Sequence, residues 1–275
     1  MMHFFYTLVF LGVYTLSAGQ MYERSPIATS VSLSGNNLFL HDVLSANTSY
    51  CGLSDINRFT IGYEFASIPI APQYGWHTLA MAIPHKLATI GISVNHFSYD
   101  TYRQDQVGLS LGRTFGSLTA GLNITTFRTA ITYYGFRSEV IPSIALKYRL
   151  SKEWSVGFHA FNVIASKSSA DHTQQFPWEA TLGAAYQPQE KVELYTLASL
   201  SSNTGQLIWL GSLRYNCTKD IHLHTGFTTS GQYAIGIGYK AKGLLTTIQF
   251  NWRQHVGISP SGSFIYETGH AQNDF

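Results

Sequence analysis

Residues 87–124, LATIGISVNHFSYDTYRQDQVGLSLGRTFGSLTAGLNI, decide the fold because they alternate in three runs between apolar and small polar side chains. A period of two puts all apolar side chains on one face of an extended strand. The other face carries hydroxyls, amides and glycine rather than long charged side chains. This pattern is typical of a membrane barrel, with lipid outside and a polar lumen inside. The apolar positions are Ile90, Ile92, Val94, Val107, Leu109, Leu111, Leu118, Ala120, Leu122 and Ile124.

The composition favours the same fold class. Of the 275 residues, 45% are hydrophobic and 12% are charged, which is roughly half the usual charged fraction. No apolar run beyond the N-terminus is long enough for a spanning helix. The net charge is only +2 and the sequence has no Lys/Arg cluster, so its electrostatics give no reason to expect a nucleic-acid partner. We predict an all-β fold: a closed antiparallel transmembrane β-barrel of about 14 strands with an N-terminal hatch segment.

The chain divides into three predicted parts. Residues 1–19 resemble a signal peptide, because an apolar run is followed by Ser17-Ala18-Gly19. Residues 20–54 are predicted to form a hatch or plug, since they break the alternation yet are too apolar for a free tail. Residues 55–275 are predicted to form the outer-membrane β-barrel, which places the protein in the cell outer membrane of a Gram-negative bacterium. The candidate hatch residues are Leu40, Asp42, Asn47 and Leu53.

The predicted connections alternate in length. Short ones fall near residues 84–86, 115–116, 151–153, 188–190, 217–219 and 242–243. Longer ones are predicted at residues 67–74, 98–104, 128–139, 163–177 and 201–205. Short periplasmic turns and longer external loops are the outer-membrane pattern.

Several short motifs resemble one family of barrels. They are Leu40-His41-Asp42-Val43 with Gly52-Leu53, Gly62-Tyr63-Glu64-Phe65, His159-Ala160-Phe161-Asn162 and His255-Val256-Gly257-Ile258-Ser259. In this order they resemble the PorV/PorQ-like outer-membrane proteins of Bacteroidota, which are distant relatives of the FadL transport barrels. The resemblance implies a hatch inside a fourteen-stranded barrel and a role beside type IX secretion or another large outer-membrane machine. The chain departs from that pattern at Asn47-Thr48-Ser49, where relatives carry Asn-Pro-Ala, and its loops are shorter.

Charged residues at inward positions form a candidate polar network of the lumen. Charges that face lipid cost roughly 2–4 kcal/mol at the midplane, so inward placement is nearly forced. Inside the barrel, these charged side chains either line a pore or form ion pairs across a closed interior. The candidates are Glu64, Lys147, Arg149, Glu179, Glu193, Arg214 and Arg253.

Catalytic and metal motifs are weak. Gly108-Leu109-Ser110-Leu111-Gly112 fits G-x-S-x-G, but a nucleophile elbow needs a turn after the serine and this stretch continues as a strand. His222 and His224 share one strand face, but a metal site needs further ligands. We therefore expect no catalytic site, cofactor site or metal site, and a protein that is not an enzyme.

Two further features leave alternatives open. Cys51 and Cys217 either form a disulfide or remain unpaired thiols, of which the second is favoured. Tyr133-Tyr134-Gly135-Phe136 either binds a partner or folds over the barrel mouth.

Two function classes follow. The first is a scaffold or accessory subunit of a larger outer-membrane secretion or assembly complex, type IX secretion-like or barrel-assembly machinery. Its partners would be outer-membrane lipids and other outer-membrane barrels or lipoproteins, with no nucleic acid. The alternative is a FadL-like channel for small hydrophobic compounds, which would require an apolar pocket beneath residues 38–53.

Overall fold

A computed structural model describes residues 38–68, 71–164, 176–202, 205–253 and 257–269. Two short 3-10 helices, Val43–Asn47 and Cys51–Asp55, precede fourteen strands. No helix in the described ranges is long and apolar enough to cross a membrane. The strands are β1 Thr60–Ile68, β2 Ala71–Ile83, β3 Thr89–Tyr99, β4 Tyr102–Phe115, β5 Leu118–Ile131, β6 Gly135–Arg149, β7 Trp154–Phe161, β8 Glu179–Gln189, β9 Val192–Ser201, β10 Leu207–Asn216, β11 Ile221–Thr228, β12 Gln232–Ala241, β13 Leu244–Arg253 and β14 Gly257–Glu267.

The strands form one closed antiparallel barrel in which each strand pairs with its neighbours in sequence. The ring closes where β1 pairs with β14, from Thr60 opposite Glu267 to Ala66 opposite Ser261. Closure removes the free edges that an open sheet would expose. The predicted fold class is confirmed, including the number of strands.

Apolar side chains face outward and small side chains face the lumen, as predicted. On β4, Leu109 and Leu111 face outward and are exposed, whereas Ser110 and Gly112 face the lumen and are buried. On β12, Ile235 and Ile237 face outward and Ala234 is buried inside. The exposed apolar side chains form a continuous outer band, which only a hydrocarbon environment accommodates without cost.

Most of the predicted long loops are wrong. Residues 98–104 and 128–139 belong largely to the paired strands, because β3, β4, β5 and β6 continue their ladder until Tyr99 opposes Tyr102 and Ile131 opposes Gly135. Likewise β1 and β2 are separated only by residues 69–70. The connection 162–178 between β7 and β8 is long, as predicted, and marks the loop end of the barrel. The opposite end, with the turns 116–117, 190–191 and 242–243, is the turn end.

Residues 38–56, here called the lumen segment, pack inside the ring. Their apolar side chains Leu40, Val43, Leu44 and Leu53 are buried against Ala80 of β2. The lumen segment also contacts the inner faces of β3, β4, β5 and β6. The rest of the predicted hatch, residues 20–37, and the predicted signal peptide, residues 1–19, lie outside the described residues. The division of the chain at residue 54 stays a prediction.

Candidate functional site

The lumen segment lies against glycines of the wall. A Cβ added at Gly121 would lie 2.7 Å from Cβ of Tyr50, and one at Gly112 would lie 2.6 Å from the Tyr50 carbonyl oxygen. Tyr50 itself has a left-handed backbone, with φ of 60°. The alternating glycines of β4 and β5 therefore make room for the segment's backbone rather than for a water-filled pore.

Hydrogen bonds hold the segment to β3 and β4. The Ser110 hydroxyl donates to the carbonyl of Ala46 at 2.7 Å, and the Asn95 amide donates to the Asn47 side chain at 2.8 Å. Both wall residues are buried. Buried polar groups need such partners, because leaving one unpaired costs about 1–3 kcal/mol. Ser110 thus has a structural partner in a continuous strand, and the strand-to-helix turn of a nucleophile elbow is absent at this position.

Three titratable side chains meet at the turn end of the lumen segment. Nδ1 of His41 lies 2.5 Å from Oδ2 of Asp55, and Nζ of Lys147 lies 3.2 Å from the same oxygen. Burial by itself would raise the pKa of Asp55, but the hydrogen bond from His41 and the charge of Lys147 outweigh burial and lower that pKa to about 2. We call this arrangement the carboxylate clasp.

Asp42, a predicted hatch residue, caps the first 3-10 helix. Its carboxylate accepts a hydrogen bond from the backbone N–H of Leu44 at 2.8 Å. Burial nevertheless raises the pKa of Asp42 to about 6, more than the cap and the charge of Arg214 lower it. The other predicted hatch residues, Leu40, Asn47 and Leu53, lie in the same segment and contact the wall.

A cavity of about 450 Å³ opens at the turn end, below the carboxylate clasp. Its lining is largely charged and polar. The apolar pocket that the channel hypothesis placed beneath residues 38–53 therefore does not occur at this cavity. Its lining includes Phe39, His41, Asp55, Lys147, Arg149, Glu193 and Tyr195.

The structure places the predicted lumen charges on inward positions but in separate surroundings. Lys147 pairs with Asp55. Glu193 accepts hydrogen bonds from the Tyr195 hydroxyl and from Asn216, while Glu179 accepts from Ser199 at 3.0 Å. Glu64 is buried in β1. Arg149 lines the turn-end cavity, and the Nε atoms of Arg214 and Arg253 are buried with no hydrogen-bond partner in the described part of the chain.

The two histidines of β11 point inward with ring centroids 5.9 Å apart. Nε2 of His224 lies 2.9 Å from Oε1 of Gln249. Both rings cover glycines of β12, since a Cβ at Gly236 would lie 2.1 Å from His224 and one at Gly238 would lie 2.0 Å from His222. Within the described ranges, no group of three metal-ligating side chains is present. The arrangement is polar filling of the lumen.

Sequence reasoning missed two aromatic clusters at the loop end of the lumen. Phe127, Phe161 and Phe176 pack together with buried Ile141, and the centroids of Phe127 and Phe176 are 4.8 Å apart. On the other side Trp76 stacks on Phe97 at 4.4 Å, with Tyr102 beside it. Their inward parity was the available signal, because it puts large rings on the face that otherwise carries small polar groups.

A further apolar cluster lies nearer the turn end, against the wall formed by β7, β8 and β9. Leu38 and Phe39 pack on Tyr195 and Leu197, and the rings of Phe39 and Tyr195 stack at 5.9 Å. A Cβ at Gly183 of β8 would lie 3.1 Å from both Leu38 and Phe39. The barrel wall is therefore thin where this cluster touches it.

The outer face of the same wall carries an apolar hollow of about 450 Å³, which we call the lateral hollow. Its floor is a row of small side chains on adjacent strands: Ala184 opposes Thr196, and Thr196 opposes Gly211. Large side chains surround this floor, including Trp154 stacked on Tyr186 at 4.4 Å. The remaining rim residues are Leu194, Leu213 and Phe227.

The structure bears on the two features for which the sequence left alternatives open. Cys51 and Cys217 are both free, the first fully buried and the second half-buried. The tip of the β5–β6 hairpin does not fold over the mouth, since Tyr133 is 97% and Tyr134 88% exposed. Its left-handed residue Tyr133, with φ of 72°, forms the turn.

Comparisons with known proteins show likeness in fold. No family model and no curated protein matches the chain. The toluene transporter TodX of Pseudomonas putida matches with a TM-score of 0.59 at 12% identity, over 82% of this chain and 93% of that one. The Ralstonia pickettii toluene transporter TbuX matches with a TM-score of 0.57 at 8% identity, over 82% and 92%. The Acinetobacter baumannii outer membrane protein Omp33 matches with a TM-score of 0.54 at 8% identity, over 77% and 98%.

These likenesses agree with the closed ring, the outer apolar band and the short turns at one end. The chain is a closed outer-membrane β-barrel of a Gram-negative bacterium and shares its fold with these proteins.

Proposed function

We propose that this barrel is a non-enzymatic channel that takes up small apolar compounds through the outer membrane and releases them sideways into the bilayer. One observation carries the proposal. The Leu38–Phe39 cluster lies directly inside the strands whose outer face forms the lateral hollow. Only the thin wall of β8 and β9, with Gly183 and Ala184, separates the two apolar surfaces.

The lumen changes in polarity along its length. Aromatic clusters occupy the loop end, the apolar cluster of Leu38 and Phe39 lies deeper, and charged side chains line the turn-end cavity. Moving an apolar compound from a buried apolar surface towards water costs about 25 cal/mol per Å². Such a compound is therefore retained by the first two zones and rejected by the third, which makes the side wall the favourable exit.

The fold likeness supports the same class of solute. TodX and TbuX are toluene transporters, and small planar apolar compounds suit aromatic clusters such as Phe127 with Phe161 and Phe176. A general water-filled porin fits less well, because residues 38–56 occupy the lumen that a porin leaves open.

The test fills the lateral hollow without touching the lumen. Ala184→Leu adds a large side chain to its floor, and Ala120→Leu adds the same side chain to the lipid face of β5, far from the hollow. We expect Ala184→Leu to reduce uptake of labelled toluene by vesicles containing the barrel at least about fivefold, which corresponds to about 1 kcal/mol. Ala120→Leu should transport as the wild type does. Equal transport by all three proteins would exclude the lateral exit, and no transport by any of them would exclude the channel.

A second candidate function rests on the exposed tip of the β5–β6 hairpin. Tyr133, Tyr134 and Phe136 project from the wall, and exposed aromatic clusters are enriched at protein interfaces. This tip suits an accessory subunit of a larger outer-membrane complex, as the resemblance to PorV/PorQ-like proteins implies. Co-purification of another barrel or lipoprotein with the wild type, and its loss with Tyr133→Ser/Tyr134→Ser, would support this role. A monomer from native membranes that still transports toluene would leave the channel as the function.

A further inference from the structure

Three strands carry a group of charged side chains on the outside of the barrel. His96 of β3 opposes Asp105 of β4, and Asp105 opposes Arg128 of β5, so the three form one row across the wall. All three have the outward parity of Val94 and Val107, which lie beside them on the lipid face. Arg103 has the same parity, two positions nearer the loop end. We call His96, Arg103, Asp105 and Arg128 the outer charged patch.

The patch begins where the apolar band ends. The next row towards the turn end is Val94 opposite Val107 and Val107 opposite Thr126. Leu109 and Ile124 follow, and both are more than half exposed to the surroundings of the barrel. Since charges within the hydrocarbon are costly, the boundary of the hydrocarbon lies between the rows of Val107 and Asp105. The patch is therefore level with the headgroups of the leaflet at the loop end.

The patch has one carboxylate for three basic side chains. Asp105 accepts hydrogen bonds from Arg103 at 2.9 and 3.3 Å, and its other contact is His96 at 2.7 Å. Arg128 instead lies over the ring of Phe136, with its guanidinium carbon 4.7 Å from the ring centroid. Within the described residues, Arg128 has no ion pair with a carboxylate. Arg103 keeps 61% of its side chain exposed.

Basic side chains at this level are concentrated on one wall. The row continues on β2, where His77 faces outward opposite His96. On the far side of the loop-end rim, outward positions of the described strands include the apolar groups Trp209, Tyr233, Trp252 and Ile258. If the rim were in contact only with water, we would expect basic side chains to be spread evenly over all walls of the barrel. β4 and β5 are also among the longest strands, so this wall extends furthest into the headgroup region.

We propose that the outer charged patch binds the phosphate of an anionic lipid headgroup in the outer leaflet. A guanidinium matches phosphate oxygens with two parallel donors and is more weakly hydrated than an ammonium group. Arg128 makes the main contact, because Phe136 holds it in place and no described carboxylate competes for it. Arg103 supplies a second guanidinium from the neighbouring strand, and the lipid's acyl chains lie along Val94, Val107 and Ile124.

The experiment counts lipids retained by the purified full-length barrel. The protein is reconstituted in phosphatidylcholine discs that contain phosphatidic acid, whose headgroup is a phosphate, and retained lipid is measured by native mass spectrometry after mild detergent extraction. Arg128→Gln/Arg103→Gln removes both guanidinium groups. Arg113→Gln is the matched control, since Arg113 also faces outward on β4 and lies over a ring, Phe115, but at the turn end.

We expect the double variant to retain at least about tenfold less phosphatidic acid than the wild type, Arg113→Gln to retain as much as the wild type, and Arg128→Lys to be intermediate. Equal losses in the double variant and in Arg113→Gln would show general charge attraction and would overturn the proposal. Unchanged retention in the double variant would overturn it as well. Displacement of the lipid by millimolar inorganic phosphate would point to a free-anion site instead. Heat-dependent migration on gels verifies that every variant is folded.

Discussion

Nδ1 of His41 lies 2.5 Å from Oδ2 of Asp55, and this contact joins the two ends of the lumen segment. Lys147 of β6 binds the same oxygen, so one carboxylate fastens the segment both to itself and to the wall. The segment's stability therefore depends on the charge of Asp55.

We expect Asp55→Asn to destabilise the protein at neutral pH and to remove part of its acid sensitivity. The pKa of Asp55 falls to about 2 in the fold, from 3.8 without its partners. Its contribution is thus complete above about pH 4 and is lost as the pH falls towards 2. Because 38% of the side chain is exposed, solvent screening limits this contribution to about 1 kcal/mol. Urea unfolding followed by tryptophan fluorescence from pH 2 to 7 measures it. Asp220→Asn, in an exposed turn, is the control, and an identical loss there would contradict the role of the clasp.

Asp42 should show the opposite dependence. Burial raises its pKa from 3.8 to about 6, so the folded state is penalised as the pH rises from about 4 through 6. Asp42→Asn keeps an acceptor for the N–H of Leu44 and cannot ionise. We expect the variant to match the wild type near pH 4 and to exceed its free energy of unfolding by about 3 kcal/mol at pH 8. A variant that is less stable than the wild type at pH 8 would show that burying the ionised Asp42 carboxylate does not destabilise the fold.

The two cysteines should differ in reactivity. Cys51 is fully buried, its thiol faces the carbonyl of Thr119 at 3.7 Å, and burial raises its pKa to about 12. Only the thiolate reacts rapidly with maleimides. We expect one label per folded molecule, on Cys217, and two after unfolding. The single variants Cys51→Ser and Cys217→Ser assign the sites; fast labelling of folded Cys217→Ser would mean that the segment leaves the lumen.

Displacing the segment from its glycines should open the barrel. A valine at Gly121 would overlap Tyr50, whose Cβ lies 2.7 Å from the added Cβ position. We expect Gly121→Val to expose Cys51 to maleimide and to raise single-channel conductance in planar bilayers severalfold. Ala120→Val, on the lipid side of the same strand, should change neither reading. If Gly121→Val conducts as the wild type does, the segment does not limit the pore.

Ser110 should contribute to stability and not to catalysis. Its hydroxyl donates to Ala46 and accepts from the amide of Asn123 at 2.9 Å. Ser110→Ala removes the hydrogen-bond partner of the Ala46 carbonyl and of the Asn123 amide, at a cost of about 1–3 kcal/mol in stability. Ser143→Ala is a matched control, because the Ser143 hydroxyl is buried without a hydrogen-bond partner in the described residues. Chemical unfolding should separate the two variants; equal stability, or a hydrolytic activity lost only in Ser110→Ala, would contradict the structural role.

The sequence predicted the barrel well because side-chain parity follows directly from strand geometry. Ile92 and Leu109 face lipid for the same reason that Ser93 and Ser110 face the lumen. It predicted strand ends poorly, since the outward charge of Arg103 and its polar neighbours in 98–104 resemble those of a loop. Backbone pairing continues past them, and no side-chain pattern reports that pairing.

The candidate site was predictable only in part. Parity placed Lys147 and Glu193 inside, but their partners depend on contacts between distant parts of the chain. The bond between Lys147 and Asp55 spans 92 positions, and the hollow around Ala184 arises from three strands whose small residues align across the sheet. Pairing register, rather than composition, decides such features.

The closed ring has a consequence for biogenesis. Residues 38–56 are synthesised before every strand that surrounds them, yet their contacts with Ser110 and Thr119 require β4 and β5. Once β14 docks on β1, the ring of paired strands is complete. Enclosing the segment is therefore least costly while the sheet is still open, so that the wall forms around a segment made before it and closes with the last strand.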